Sequence, residues 1–130
     1  MSSTYYDPDK PPKPSEWLAI GEHERIRLAQ NFHVAARIKL PDPKAHALYH
    51  AIVENQIAQG YVPSCRAIER LQREGLSRHD AIHAIASVVA EVTFEQIREP
   101  QTSASGNESQ RKMNAKIDAL TAARWKERGK

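Results

Sequence analysis

Two pairs of histidines stand out in the sequence because they share one spacing. His46 and His50 are followed four residues later by Glu54, and His79 and His83 repeat the spacing of the first pair. Residues four apart on an α-helix lie on the same side, separated by about 40° around the axis. Each group therefore forms one polar stripe along a helix, and two such stripes on neighbouring helices can face each other.

Paired imidazoles of this kind indicate a metal site. Neutral imidazole suits Zn, Fe, Cu and Ni, and helical bundles build such sites from side chains on facing helices. We predict one transition-metal site, for Zn or Fe, in which Glu54 is either a further ligand or an acceptor that orients an imidazole. The alternative is that the histidines are core or surface residues with ordinary hydrogen bonds and no metal. The predicted ligand set is His46, His50, Glu54, His79 and His83.

Other polar residues near the pairs have more limited roles. His33 is a candidate additional ligand, whereas Glu91 lies two helical turns beyond His83, too far along the axis to share its metal easily. The run from His79 to His83 resembles the zincin motif His-Glu-x-x-His, with Asp80 in place of the general-base glutamate. Asp80 also completes a capping pattern with Ser77, which is the simpler explanation. Whether the protein is an enzyme stays open.

Four helices are needed to position these residues. Apolar periodicity, prolines and glycines predict helices from Glu22 to about Ile38, from Lys44 to about Gln59, from Pro63 to Gly75, and from Arg78 to about Arg98. The second has apolar residues nearly all round, which is typical of a helix buried among others. We predict an all-α fold, a small bundle of about four helices over residues 15–99, with the second and fourth packed against each other.

The two ends of the chain differ from this domain in composition. Residues 1–14 hold four of the eight prolines, which predicts a disordered lead-in. Residues 100–110 lack a large apolar side chain and are predicted to form a linker. Residues 111–130 carry seven Lys and Arg against two acids, whereas the preceding 110 residues have a net charge of −2. This last segment is predicted to be a flexible, basic and partly helical tail.

The composition also limits the compartment and the partners. Cys65 is the only cysteine, so neither an intramolecular disulfide nor a thiol-rich metal site can form. The sequence has no secretory signal pattern and no apolar run of the roughly 20 residues that span a bilayer, so we predict a cytoplasmic protein without a membrane partner. Because the basic charge is in the tail, nucleic-acid binding is expected at most as weak attraction by the tail.

The second class of function is a non-enzymatic interaction module. The segment around Gly75 superficially fits a helix-turn-helix, with Arg73 and Arg78 as its basic residues. The second helix of that segment begins with His79 and Asp80, however, where several basic or amide side chains would be needed to contact bases. This class therefore remains the alternative to the metal site.

Residues 46–91 resemble the core of the domain of unknown function 1841, a family of short bacterial proteins. The resemblance is carried by the paired histidines, a following Glu-x-Gln, and a second histidine pair before a glutamate eight residues on. Ser87 stands where the family pattern has an acid one turn after the second pair, which argues against a carboxylate-rich site for two metals. The resemblance implies no known activity. The matching residues are His46, His50, Glu54, Gln56, His79, His83 and Glu91.

Overall fold

A computed structural model of the chain describes residues 5–35, 42–98 and 106–128. These ranges contain seven helices and no strand, so the all-α prediction is confirmed. The four predicted helices correspond to α2–α5, and the structure adds a short helix before them and two after them. The helices are α1 (Pro14–Ala19), α2 (Glu22–Ala35), α3 (Pro43–Ala58), α4 (Val62–Arg73), α5 (Arg78–Arg98), α6 (Gly106–Asp118) and α7 (Ala122–Arg128).

Local sequence signals explain where α3 and α5 begin and where α3 and α4 end. The Asp42 side chain accepts a hydrogen bond from the backbone N–H of Ala45 and caps α3. Ser77 Oγ accepts from the backbone N–H of Asp80 at 3.0 Å, so the predicted capping interaction at α5 is present. Gly60 and Gly75 have φ values of 77° and 106°, in the left-handed region that follows many helix ends.

Helix α3 lies at the centre of the fold, as its all-round apolar pattern predicted. It packs against α1, α2, α4 and α5, and α5 also packs against α4 and α6. The larger core cluster is built around α4 and α5 and includes Leu71, Ile82 and Ile85. A second cluster joins α1, α2 and α3 around Trp17 and Leu28. The predicted contact between the two histidine-bearing helices is therefore present.

Part of the predicted disordered lead-in is packed against the domain. Tyr6 is only 4% exposed, and its ring lies in the core cluster with Trp17. The backbone carbonyl of Pro8 accepts from Arg78, and Asp9 Oδ1 accepts from the backbone N–H of His79. Residues 5–9 thus lie across the start of α5, while residues 1–4 lie outside the described part of the chain.

The basic tail contributes two helices that pack on the same domain. Ile117 and Ala122 are buried in the larger core cluster. Lys116 pairs with Glu91 on α5 at 2.6 Å, so part of the charge of the tail is compensated by the domain. Most of the predicted linker, residues 99–105, lies outside the described residues. Within the part that is described, none of the helices has both the length and the apolar character needed to cross a bilayer.

Candidate metal centre

Three helices bring four imidazoles together at the middle of the fold. His33 comes from the end of α2, His46 and His50 from one side of α3, and His83 from the first half of α5. One ring nitrogen of each lies within 4.8 Å of the corresponding atoms of the others. His33 and His50 are buried, whereas His46 and His83 are partly exposed.

The closest separations within this group match those in the shell of a metal ion. His83 Nε2 is 2.9 Å from His46 Nε2 and 3.0 Å from His50 Nε2. Two nitrogens that each lie about 2.1 Å from one metal ion are ~3.0 Å apart when the N–metal–N angle is a right angle. They are ~3.4 Å apart when the angle is tetrahedral. Both contacts of His83 Nε2 therefore already have nearly the spacing of adjacent ligands around one ion.

A chain of hydrogen bonds determines the tautomer of His50. The Tyr6 hydroxyl donates its proton to Glu54 Oε2 at 2.6 Å, and its oxygen lies 3.1 Å from His50 Nδ1. A hydroxyl that has donated its only proton can only accept from a further partner. His50 must therefore donate from Nδ1–H, which leaves a lone pair on its Nε2. This lone pair is directed at the other imidazoles and is available to a cation.

His33 is held in the same tautomer by the backbone. Its Nδ1 lies 2.8 Å from the carbonyl oxygen of Ala29, one turn earlier on α2. Because a carbonyl oxygen only accepts, the proton of a neutral His33 ring resides on Nδ1. Its Nε2 is then free to bind a metal. A ligand histidine commonly donates its second ring N–H to a carbonyl or carboxylate group in this manner.

Neutral imidazoles satisfy the nitrogens around His83 poorly, because a single proton must serve two close contacts. Because His50 Nε2 carries a lone pair, His83 Nε2 must donate to it. A neutral ring nitrogen that donates has no lone pair left for a second neighbour. His83 Nε2 therefore cannot also accept from His46 Nε2, which is equally close. A cation among the three Nε2 atoms removes this conflict, because each imidazole then presents a lone pair to it.

The structure places the predicted ligands in different positions. His46, His50 and His83 lie in the four-imidazole group, together with His33. His79 lies at its edge, with its Nε2 3.3 Å from His33 Nε2. It was predicted as a ligand, and it is adjacent to the group rather than within it.

The carboxylate of Glu54 is engaged by other residues and does not join the imidazoles. Arg78 donates to both of its oxygens at 2.8 Å, and Tyr6 donates to one of them. All three side chains are buried. Of the two predicted roles for Glu54, this arrangement corresponds to the acceptor that orients an imidazole, acting on His50 through Tyr6.

The sequence interpretation missed two residues of the site, Tyr6 and Arg78. Tyr6 lies in a proline-rich stretch, and nothing in its local pattern indicates burial. Arg78 was considered only as a basic residue at a helix start, yet it is 5% exposed and paired with Glu54. Its position, 24 residues from Glu54 in the chain, left no periodic signal for the pair.

Burial and mutual repulsion keep His46, His50 and His83 neutral. Loss of solvent, together with repulsion from nearby imidazoles, lowers the pKa of His46 to about 4 and that of His83 to about 3. Burial also brings the pKa of His50 well below its usual range. Neutral imidazoles are the form that binds metals, so these three side chains are suited to an ion throughout the physiological pH range.

These shifts predict a loss of stability of the metal-free protein in acid. An imidazole has a pKa near 6.5 in the unfolded chain, and the pKa values of His46 and His83 are lower in the folded state. The unfolded chain therefore binds more protons below pH ~6.5, and stability falls as pH decreases from there towards 4. Urea unfolding at pH 7.5 and pH 5 is expected to show a lower midpoint at pH 5. A His46→Gln/His83→Gln variant should show a smaller difference between the two midpoints. An equal difference would show that protonation of these two histidines does not cause the loss of stability.

The other candidate residues have separate roles. Glu91 pairs with Lys116 at 2.6 Å and does not belong to the four-imidazole group, as expected from its distance along the axis from His83. Asp80 is exposed, and its backbone N–H takes part in the capping interaction with Ser77. The zincin-like pattern is therefore explained by the start of α5.

Comparison with known proteins adds no assignment. No protein-family model, curated protein or solved structure matches the chain. The resemblance to the domain of unknown function 1841 stays a prediction.

Proposed function

We propose that this protein binds one divalent transition-metal ion through the Nε2 atoms of His33, His46, His50 and His83. The observation that carries the proposal is the position of His83 Nε2, which lies 2.9 Å and 3.0 Å from two other Nε2 atoms. Neutral rings give these three nitrogens a single proton to share, whereas an ion accepts a lone pair from each of them. Fixed Nδ1–H donors on His33 and His50 support it further, because they direct lone pairs towards the same point.

The donor set determines which ions are suitable. Neutral nitrogen ligands favour first-row transition metals and disfavour Mg²⁺ and Ca²⁺, which prefer oxygen ligands. Zn²⁺ and Fe²⁺ are the first ions to test. An ion bound here links α2, α3 and α5, so it stabilises the packing of these helices whether or not it also has a catalytic role.

Removal of the metal is the direct test of this proposal. A ligand that binds only the folded state stabilises it by ~2.7 kcal/mol at a free concentration 100 times its Kd, which corresponds to roughly 10 °C in melting temperature for a domain of this size. We expect purified, untagged protein to contain about one equivalent of metal by elemental analysis. A chelator should lower its melting temperature, and Zn²⁺ or Fe²⁺ should restore it.

A double variant provides the control for this experiment. The melting temperature of His50→Ala/His83→Ala should not respond to chelator or to added metal. Substoichiometric metal after refolding with Zn, Fe, Mn, Ni or Cu, together with an unchanged melting temperature in chelator, would contradict the proposal. In that case the non-enzymatic interaction module becomes the preferred interpretation.

A Tyr6→Phe variant is expected to weaken metal binding about 10- to 100-fold. The change removes the oxygen that accepts from His50 Nδ1–H, so the ring loses the partner that orients it and increases its basicity. The affinity can be measured by competition with a chromophoric chelator. Tyr5→Phe is the matched control, because Tyr5 is 63% exposed. Equal affinities for the two variants would contradict an orienting role for Tyr6.

A further inference from the structure

A cavity of about 250 Å³ lies directly against the imidazole group. His46, His50 and His83 form part of its wall, so three of the four proposed ligands border the same space. The separations of His83 Nε2 from His46 Nε2 and from His50 Nε2 correspond to near-right angles at an ion. Such angles leave further coordination positions, since a shell built on them holds up to six ligands. At least one open position can therefore face the cavity.

The charges around the site favour an anion in that position. Four neutral imidazoles leave both positive charges of a divalent ion uncompensated. None of the described residues that line the cavity is an Asp, Glu, Lys or Arg. Glu54 is already paired with Arg78 through two hydrogen bonds of 2.8 Å. Because uncompensated charge is costly in a partly buried site, a negatively charged ligand gains most by binding there.

The rest of the cavity wall fits an apolar body. Ala86, Ala90 and Trp125 supply apolar surface in this wall, which also includes Tyr49. The Ser87 hydroxyl, also in the wall, donates to the Ala84 carbonyl oxygen at 2.7 Å, so it has no proton to offer a ligand. A cavity of ~150 Å³ is known to accommodate benzene, so this larger space has room for one ring with a small substituent.

We propose that the cavity binds a small organic carboxylate. One carboxylate oxygen coordinates the metal ion, and the apolar body packs against Trp125 and Ala90. This inference rests on the proposed metal centre, and it identifies the class of ligand that the centre takes. The carboxylate supplies the negative charge that is missing from the protein ligands, and the cavity selects for a compact apolar group.

Cobalt-loaded full-length protein and benzoate provide the test. Co²⁺ bound by imidazoles absorbs visible light, and its spectrum changes when another ligand enters the shell. We expect a saturable change on titration with benzoate and at least 10-fold weaker binding of benzamide, its uncharged analogue. Benzoate that leaves the cobalt spectrum unchanged, or binds no more tightly than benzamide, would overturn the inference. Failure of Co²⁺ itself to bind would instead refute the proposed metal centre.

Substitutions in the wall locate the ligand. Ala90→Leu reduces the cavity and is expected to weaken benzoate binding at least 10-fold, with cobalt affinity unchanged. Ala115→Leu makes the same change at an exposed position on α6 and should leave both affinities unchanged. If Ala90→Leu does not fold, Trp125→Ala replaces it and should weaken benzoate binding through loss of apolar contact. Unchanged benzoate affinity in the folded variant would show that the ligand binds elsewhere and overturn the inference.

Discussion

A His83→Ala variant is expected to bind its metal ion about 100- to 1000-fold more weakly than the unaltered protein. Four-ligand structural zinc sites bind with roughly 10–16 kcal/mol, so one ligand contributes ~2.5–4 kcal/mol, which corresponds to this loss in affinity. His83 is the most informative position because its Nε2 lies closest to two other imidazole nitrogens. His50→Ala should have an effect of similar size. Competition with a chromophoric chelator measures both.

Two further alanine variants make this experiment specific. His23→Ala removes an exposed histidine on α2 and should leave the affinity unchanged. His79→Ala tests the ligand set itself, because His79 contacts His33 from the edge of the group. We expect it to reduce the affinity less than 10-fold, whereas His33→Ala should match His83→Ala. A larger loss of affinity in His79→Ala than in His33→Ala would show that His79 is a ligand and His33 is not.

An Arg78→Met variant is expected to lose about 3–5 kcal/mol of unfolding free energy in the metal-free protein. Arg78 is 5% exposed and donates to both oxygens of Glu54, which is itself 1% exposed. Removing one partner of a buried ion pair leaves the other charge without compensation, and such losses are of this size. Arg78 also donates to the carbonyl of Pro8, so the variant should loosen residues 5–9 as well. Urea unfolding of chelator-treated protein measures the change.

A double variant separates the ion pair from the packing of its side chains. Arg78→Met/Glu54→Leu replaces both charges with apolar groups and is expected to be more stable than Arg78→Met alone. The exposed pair of Arg27 and Glu24, whose side chains are 66% and 41% exposed, supplies the control. Arg27→Met should leave the unfolding free energy unchanged within error. A double variant less stable than Arg78→Met would show that the pair is not the source of the effect.

The ion pair also bears on the alternative interpretation of the segment around Gly75. A helix-turn-helix protein needs accessible basic side chains at the start of its second helix. Arg78 occupies that position but is buried against Glu54, and Asp9 covers the backbone N–H of the next residue. The beginning of α5 is thus used to hold the imidazole group and residues 5–9 together. Arg78 is therefore not available for contact with phosphates or bases, whereas Arg73, at the end of α4, is exposed.

The sequence by itself determined the four helices α2–α5 and the polar stripes on α3 and α5. Prolines, glycines and the capping pattern of Ser77 depend on local backbone geometry, so the start of α5 at Arg78 and its end at Arg98 were predicted correctly. The spacing of His46 and His50 placed both rings on one side of α3 for the same reason. Periodicity describes rotation about one helix axis, however, and contains no distance between helices.

Only the tertiary structure decided which side chains meet across those helices. It brought His33 into the group with His46, His50 and His83 and left His79 at the edge. It also paired Glu54 with Arg78. The Tyr6 hydroxyl lies against His50, which is 44 residues away in the chain. Such contacts depend on the crossing of packed helices and on the burial of a segment with no regular pattern. Long-range packing creates them, and no local signal in the sequence encodes them.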